Sequence, residues 1–121
     1  MTRSASSLDA LRVLRLPLSL ALMLAACAPR PRIELANLTG VPLSSVVVSG
    51  TGFRHEVGDM PAGATMNFAV DPTGDTGLAV ECLQSGALRS HPAAGYFGKG
   101  GWEVRAELLS DGGWQVDGKL R

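Results

Sequence analysis

The 121-residue sequence is short of the side chains that most often carry chemistry: it has 2 cysteines, 2 histidines, 2 tryptophans, 1 tyrosine and 3 phenylalanines. With cysteine only at 27 and 82, a multi-bridge disulfide scaffold and a four-cysteine zinc site are both excluded. Charge of one sign is also lacking, since 11 basic residues meet 11 acidic ones and no basic cluster occurs. Nucleic-acid affinity comes largely from Lys and Arg neutralising phosphates, so that class of partner is set aside. The longest apolar run, Leu16 to Ala26, is broken by Pro17 and Ser19 and falls short of the roughly 20 helical residues a bilayer core requires. A permanent transmembrane helix is therefore not expected. From Ile33 onward no helical periodicity outlasts a single turn.

What is present begins with an address. Arg3, Arg12 and Arg15 precede the apolar run, and small residues lead from it into Cys27, the layout of a secretory signal. Leu24, Ala25, Ala26 and Cys27 resemble the lipobox of bacterial lipoproteins, in which the cysteine is lipidated and becomes the first residue of the mature chain. The resemblance implies a signal peptide over residues 1–26, a lipidated Cys27, and anchoring by two or more acyl chains, which hold stably where one chain holds marginally. Ala28 after the cysteine resembles lipoproteins sorted to the outer membrane, facing the periplasm. Removing Arg3, Arg12, Arg15 and Asp9 from the totals of 11 and 11 leaves 8 basic and 10 acidic residues in the mature part. Pro29, Arg30, Pro31 and Arg32 complete a stiff spacer over residues 27–32.

The remainder, residues 33–121, reads as one all-β domain. Glycine (15) and proline (7) are frequent, and short apolar alternations recur between turn signals. Trp102, Val104, Ala106 and Leu108 alternate with Glu103, Arg105 and Glu107, while Trp114, Val116 and Leu120 alternate with Gln115, Asp117 and Lys119. Ser110, Asp111, Gly112 and Gly113 lie between them as a hairpin turn. Ile33–Leu38, Ser45–Ser49 with Val46, Val47 and Val48 as core, Phe53–Val57, Thr65–Val70 with Met66, Phe68 and Val70 inward, and Leu78, Val80 and Cys82 on one face supply the other strands. The expectation is a small sandwich, immunoglobulin-like or related, of seven or eight antiparallel strands.

Binding, with no catalysis and no cofactor, is the expected mode of action. Gly95–Gly101 places Tyr96, Phe97 and Lys99 in a flexible loop, and loops on rigid β scaffolds commonly carry recognition. The expected partner is another envelope protein or a glycan, with an unpaired edge strand as a second docking surface. A similarity in size, address and β content to periplasmic lysozyme inhibitors suggests an alternative, although their Ser-Gly-x-x-Tyr signature is reduced here to Ala94, Gly95 and Tyr96. Copper handling is a further alternative, through His55 and His91 with Met60 and Met66 as soft ligands. Cys82, on a face with Leu78 and Val80, reads as a buried small hydrophobe. Asp71, Thr73 and Asp75 begin like a calcium loop but lack its sixth-position glycine and twelfth-position glutamate, and Gly98, Lys99 and Gly100 lack the rest of a phosphate loop.

Overall fold

The computed structural model describes residues 28–121; the signal peptide expected over residues 1–26 and the expected lipidation site Cys27 lie outside them. Eight strands follow in order: β1 (Arg32–Leu38), β2 (Leu43–Gly50), β3 (Phe53–Met60), β4 (Thr65–Ala69), β5 (Thr76–Gln84), β6 (Ala87–Phe97), β7 (Trp102–Leu109) and β8 (Trp114–Leu120). They form two four-stranded sheets, β4-β1-β7-β8 (sheet A) and β3-β2-β5-β6 (sheet B), packed as a sandwich. All pairings are antiparallel except β1 with β7, which is parallel. The immunoglobulin fold places its first, second, fifth and fourth strands together, so this order makes the protein a related sandwich with a different strand arrangement.

The alternations become two inner faces. Ile33, Leu35, Val104, Ala106 and Leu108 from sheet A meet Leu43, Val46, Val48, Leu78, Val80, Cys82 and Phe97 from sheet B, all at most 2% exposed. A strand presents alternate residues to opposite faces, so Val46, Val47 and Val48 do not all enter the core: Val47 is half-buried on the outer face. Leu43 and Val46 both point inward because the β2 register shifts between them, with Ser45 at φ 50 and its N–H donating to Asp59 Oδ1 at 3.2 Å. Leu120, inward by alternation, is 60% exposed. It is the last residue of an edge strand, where the inner face opens to solvent.

Register gives the sandwich two distinguishable ends. Arg32 pairs with Ala69 and Glu103, and Trp102 with Leu120. The start of β1, the chain terminus and the 98–101 connection therefore share one end, called proximal. The turns at 39–42, 61–64, 85–86 and 110–113 share the other, distal end. Ser85 (φ 52) and Gly86 (φ 79) are both left-handed, as a two-residue type I′ hairpin loop requires.

The distal end is organised by Asn37, fully buried. Its Nδ2 donates to the carbonyls of Val41 (2.9 Å), Met60 (3.1 Å) and Pro61 (3.1 Å), and its Oδ1 accepts from the Thr39 N–H (3.1 Å) and hydroxyl (2.6 Å). Its backbone bonds Ala64 O and Gly63 N, both at 2.9 Å. Replacing Asn37 by Ala orphans several buried groups at once, each worth about 1–3 kcal/mol. We expect Asn37→Ala to destabilise the domain by about 2–4 kcal/mol, read as a lower urea midpoint at unchanged slope.

Candidate functional site

Each long side of the sandwich is closed by a histidine. Val48 pairs with His55 and with Val80, and Val80 pairs with His91, so one row crosses the inner face of sheet B with a histidine at each end. His55 stacks on Phe68 of β4, ring centroids 4.3 Å apart and planes 6° apart. His91 faces Trp114 of β8 at 6.1 Å and 28°. Both rings thus bridge an edge strand of sheet B to an edge strand of sheet A.

The β6/β8 side is shaped further by two register shifts. Thr76, Leu78 and Val80 of β5 pair with Phe97, Ala94 and His91, so β6 uses three residues where β5 uses two, twice over. Such bulges bend a strand and increase its twist. Toward the proximal end they bring β6 against β8: a Cβ at Gly95 would lie 2.6 Å from Val116 Cγ1, and one at Gly118 would strike the Tyr96 carbonyl oxygen. Toward the distal end Trp114 stands between the sheets, its indole N–H donating across to Leu78 O at 3.2 Å. Beyond Trp114 the sheets part, leaving a cleft of about 530 Å³. Its walls are Cys82, Gln84, Arg89 and His91 from the β5–β6 hairpin and Leu108 to Gly113 from the β7–β8 hairpin.

The first half of β6 lies along this cleft as the outer strand of sheet B, with no hydrogen-bonded neighbour on its far side among the described residues. Ala87 to Ser90 are all exposed, and Leu88 is 66% exposed. Pro92 has no N–H and ends the open stretch. Arg89 and Asp111 put one charge of each sign at the rim.

The loop anticipated at Gly95–Gly101 is shorter than its sequence suggests, because Gly95, Tyr96 and Phe97 belong to β6. Phe97 is fully buried and packs on Phe53 with centroids 6.2 Å apart, so it is core and not a binding residue. Tyr96 is 56% exposed, meets Trp102 edge-on at 5.7 Å, and has its phenol pKa raised by Asp75, first as hydrogen-bond partner and then as negative charge. Lys99 is exposed in the remaining turn. Ala94, Gly95 and Tyr96 sit within bulged β6, at the proximal end and away from the cleft.

The copper ligands are not assembled. His55 and His91 stand on opposite edges of sheet B, three strand spacings or about 14 Å apart. Met60 is fully buried at the distal end. Among the described residues no three His, Cys, Asp or Glu side chains form a metal-holding group. Cys82 is 2% exposed on the core face with Leu78 and Val80, and burial pushes its thiol up from 9.0, against a smaller opposing pull from Arg89. It lies at the floor of the cleft as a protonated thiol at neutral pH.

No protein-family model matches the chain, and no curated protein matches it. A solved NMR structure of a protein from Eubacterium rectale is similar to it at 19% identity and TM-score 0.46, over 75% of this chain and 87% of that one.

Two measurements check this geometry. Gly118→Ala must push apart β6 and β8 and is expected to cost about 1–3 kcal/mol in chemical denaturation, whereas Gly74→Ala, with open space around it, stays within about 0.5 kcal/mol of wild type. The Cys82 thiol is held protonated in the fold while the unfolded thiol ionises near 9.0. Its contribution to stability is therefore complete below that pH and is lost as pH rises above it. The stability difference between wild type and Cys82→Ala should be flat from neutrality to pH 9.0 and shift against wild type above it.

Proposed function

We propose that the chain is the precursor of a lipoprotein, anchored through Cys27 to the outer membrane on its periplasmic side, and that its domain acts by binding an extended segment of another envelope protein. The segment adds to sheet B along Ala87–Ser90 of β6, with its side chains directed at the distal cleft. In this mode backbone hydrogen bonds supply affinity and pockets for alternate side chains supply specificity.

The observation that carries this reading is the polarity of the sandwich. The chain comes out of its spacer at the proximal end, at Arg32, whereas the cleft and the open part of β6 lie at the distal end. A domain tethered at one end and receptive at the other suits a module held on a surface and reaching away from it. The edge supports an extended peptide in particular: it is open for only a few residues, is stopped by Pro92, and carries Leu88 and Arg89 as side-chain contacts.

Two experiments test the two halves. Mass spectrometry of the natural product is expected to find diacylglyceryl and acyl groups on an amino-terminal Cys27; an unmodified terminus at another residue overturns the anchoring. A photo-crosslinking side chain placed at Leu88 in the intact envelope is expected to capture one protein, whose binding Arg89→Glu weakens by about tenfold or more. Equal capture from Arg54, on the opposite edge strand of sheet B, would overturn the β6 site.

A further inference from the structure

The proximal end differs in chemistry from the rest of the molecule. Arg30, Arg32, Lys99, Lys119 and Arg121 gather there against Asp71, Asp75 and Glu103. Arg54, beside the proximal 51–52 turn, is paired with Glu56 at 3.0 Å, and the rest of the folded part reverses the balance, with Arg89 and Arg105 against six acidic side chains. A domain with a net acidic mature charge thus turns its cationic end toward its own tether. The same end carries Tyr96 edge-on to Trp102, and Leu120, 60% exposed, pairs in register with Trp102. Aromatic rings with one apolar and one polar side settle at the boundary between hydrocarbon and headgroups, and basic side chains are drawn to anionic lipid.

The tether places this end close to any lipid on Cys27. A Cβ on Gly101 would lie 4.0 Å from the Pro29 side chain, so the spacer runs past the 98–101 turn. Cys27 is two residues before Pro29, and two residues span at most about 7 Å, comparable with the thickness of one headgroup layer.

From this we infer, resting on the anchoring reading above, that the proximal end is a membrane-contact face: Trp102, Tyr96 and Leu120 sit at the headgroup boundary, with Arg30 and Lys99 on lipid phosphates, while Arg121 is held by Glu103 at 3.3 Å. The domain is thereby oriented on the bilayer as well as attached to it.

The two tryptophans report this directly, because Trp102 is proximal and Trp114 distal. The acylated protein is reconstituted into phosphatidylethanolamine–phosphatidylglycerol vesicles carrying bromines high on the acyl chains. In the Trp114→Phe protein the remaining Trp102 should be quenched several-fold more than Trp114 is in the Trp102→Phe protein. Should either variant fail to fold, a polarity-sensitive dye on Leu120→Cys should shift to the blue on vesicle binding and the same dye on Ser110→Cys should not; both sites are exposed. If the acylated protein floats with the vesicles and the proximal and distal probes respond alike, this inference falls and the anchoring stands. If Cys27 is unmodified and the protein does not float, both fall.

Discussion

Asn37 faces a problem that a two-sheet fold creates for itself. The chain changes sheets twice at the distal end, from β1 to β2 and from β3 to β4, and each reversal turns backbone carbonyls inward, away from any ladder. A buried carbonyl without a donor costs about 1–3 kcal/mol. The Asn37 amide supplies donors to both reversals, through Val41 on one and Met60 and Pro61 on the other, while Thr39 satisfies its oxygen. A polar network of this kind is useful only when complete, and among the described residues no buried side-chain nitrogen or oxygen lacks a partner. Both distal reversals are fixed by one side chain, and Thr39 and Leu43, at the two ends of the first, border the cleft.

The cleft is the result of two opposed adjustments on the β6/β8 side. Near the proximal end Gly95 and Gly118 let the strands approach more closely than any side chain at either position would permit. A little further along, the indole of Trp114 stands between the sheets, tied to sheet B by its bond to Leu78 O. Small residues at one point and an indole at the next make the sheets converge and then splay. On the opposite side His55 lies flat on Phe68, and no comparable insertion separates the rings. The sandwich is therefore asymmetric in width for reasons that rest on a few residues.

The strands that alternate cleanly were legible: β7 and β8 with their hairpin, and the inward Leu78, Val80 and Cys82, all follow from period two. β6 was not. Its two bulges interrupt the alternation, Pro92 argues against a strand, and its first four residues face solvent, so Gly95, Tyr96 and Phe97 read as loop. The Ser85-Gly86 pair was the available signal of a hairpin ahead of it. The cleft was invisible for a different reason, because it depends on which hairpin of one sheet lies over which hairpin of the other, and no local pattern encodes that. The copper set failed likewise: similar inward positions on β3 and β6 are compatible with proximity or with separation by the whole sheet, and strand order alone decides.

The way the chain enters the domain bears on the proposed anchoring. A spacer containing Pro29 and Pro31 lacks the freedom of a glycine-rich linker, and Pro31 is itself buried against the fold, with the Val70 N–H donating to its carbonyl at 3.2 Å. The last residues before the domain are therefore part of its structure. A long flexible tether would let the domain tumble, and opposite ends would then be equally accessible. A short one built into the fold ties orientation to attachment. The chemistry at the proximal end, cationic and aromatic, and the chemistry at the distal end, a cleft beside an open strand edge, are separated along the long axis of the sandwich, and under the proposed anchoring a partner would meet the distal end first.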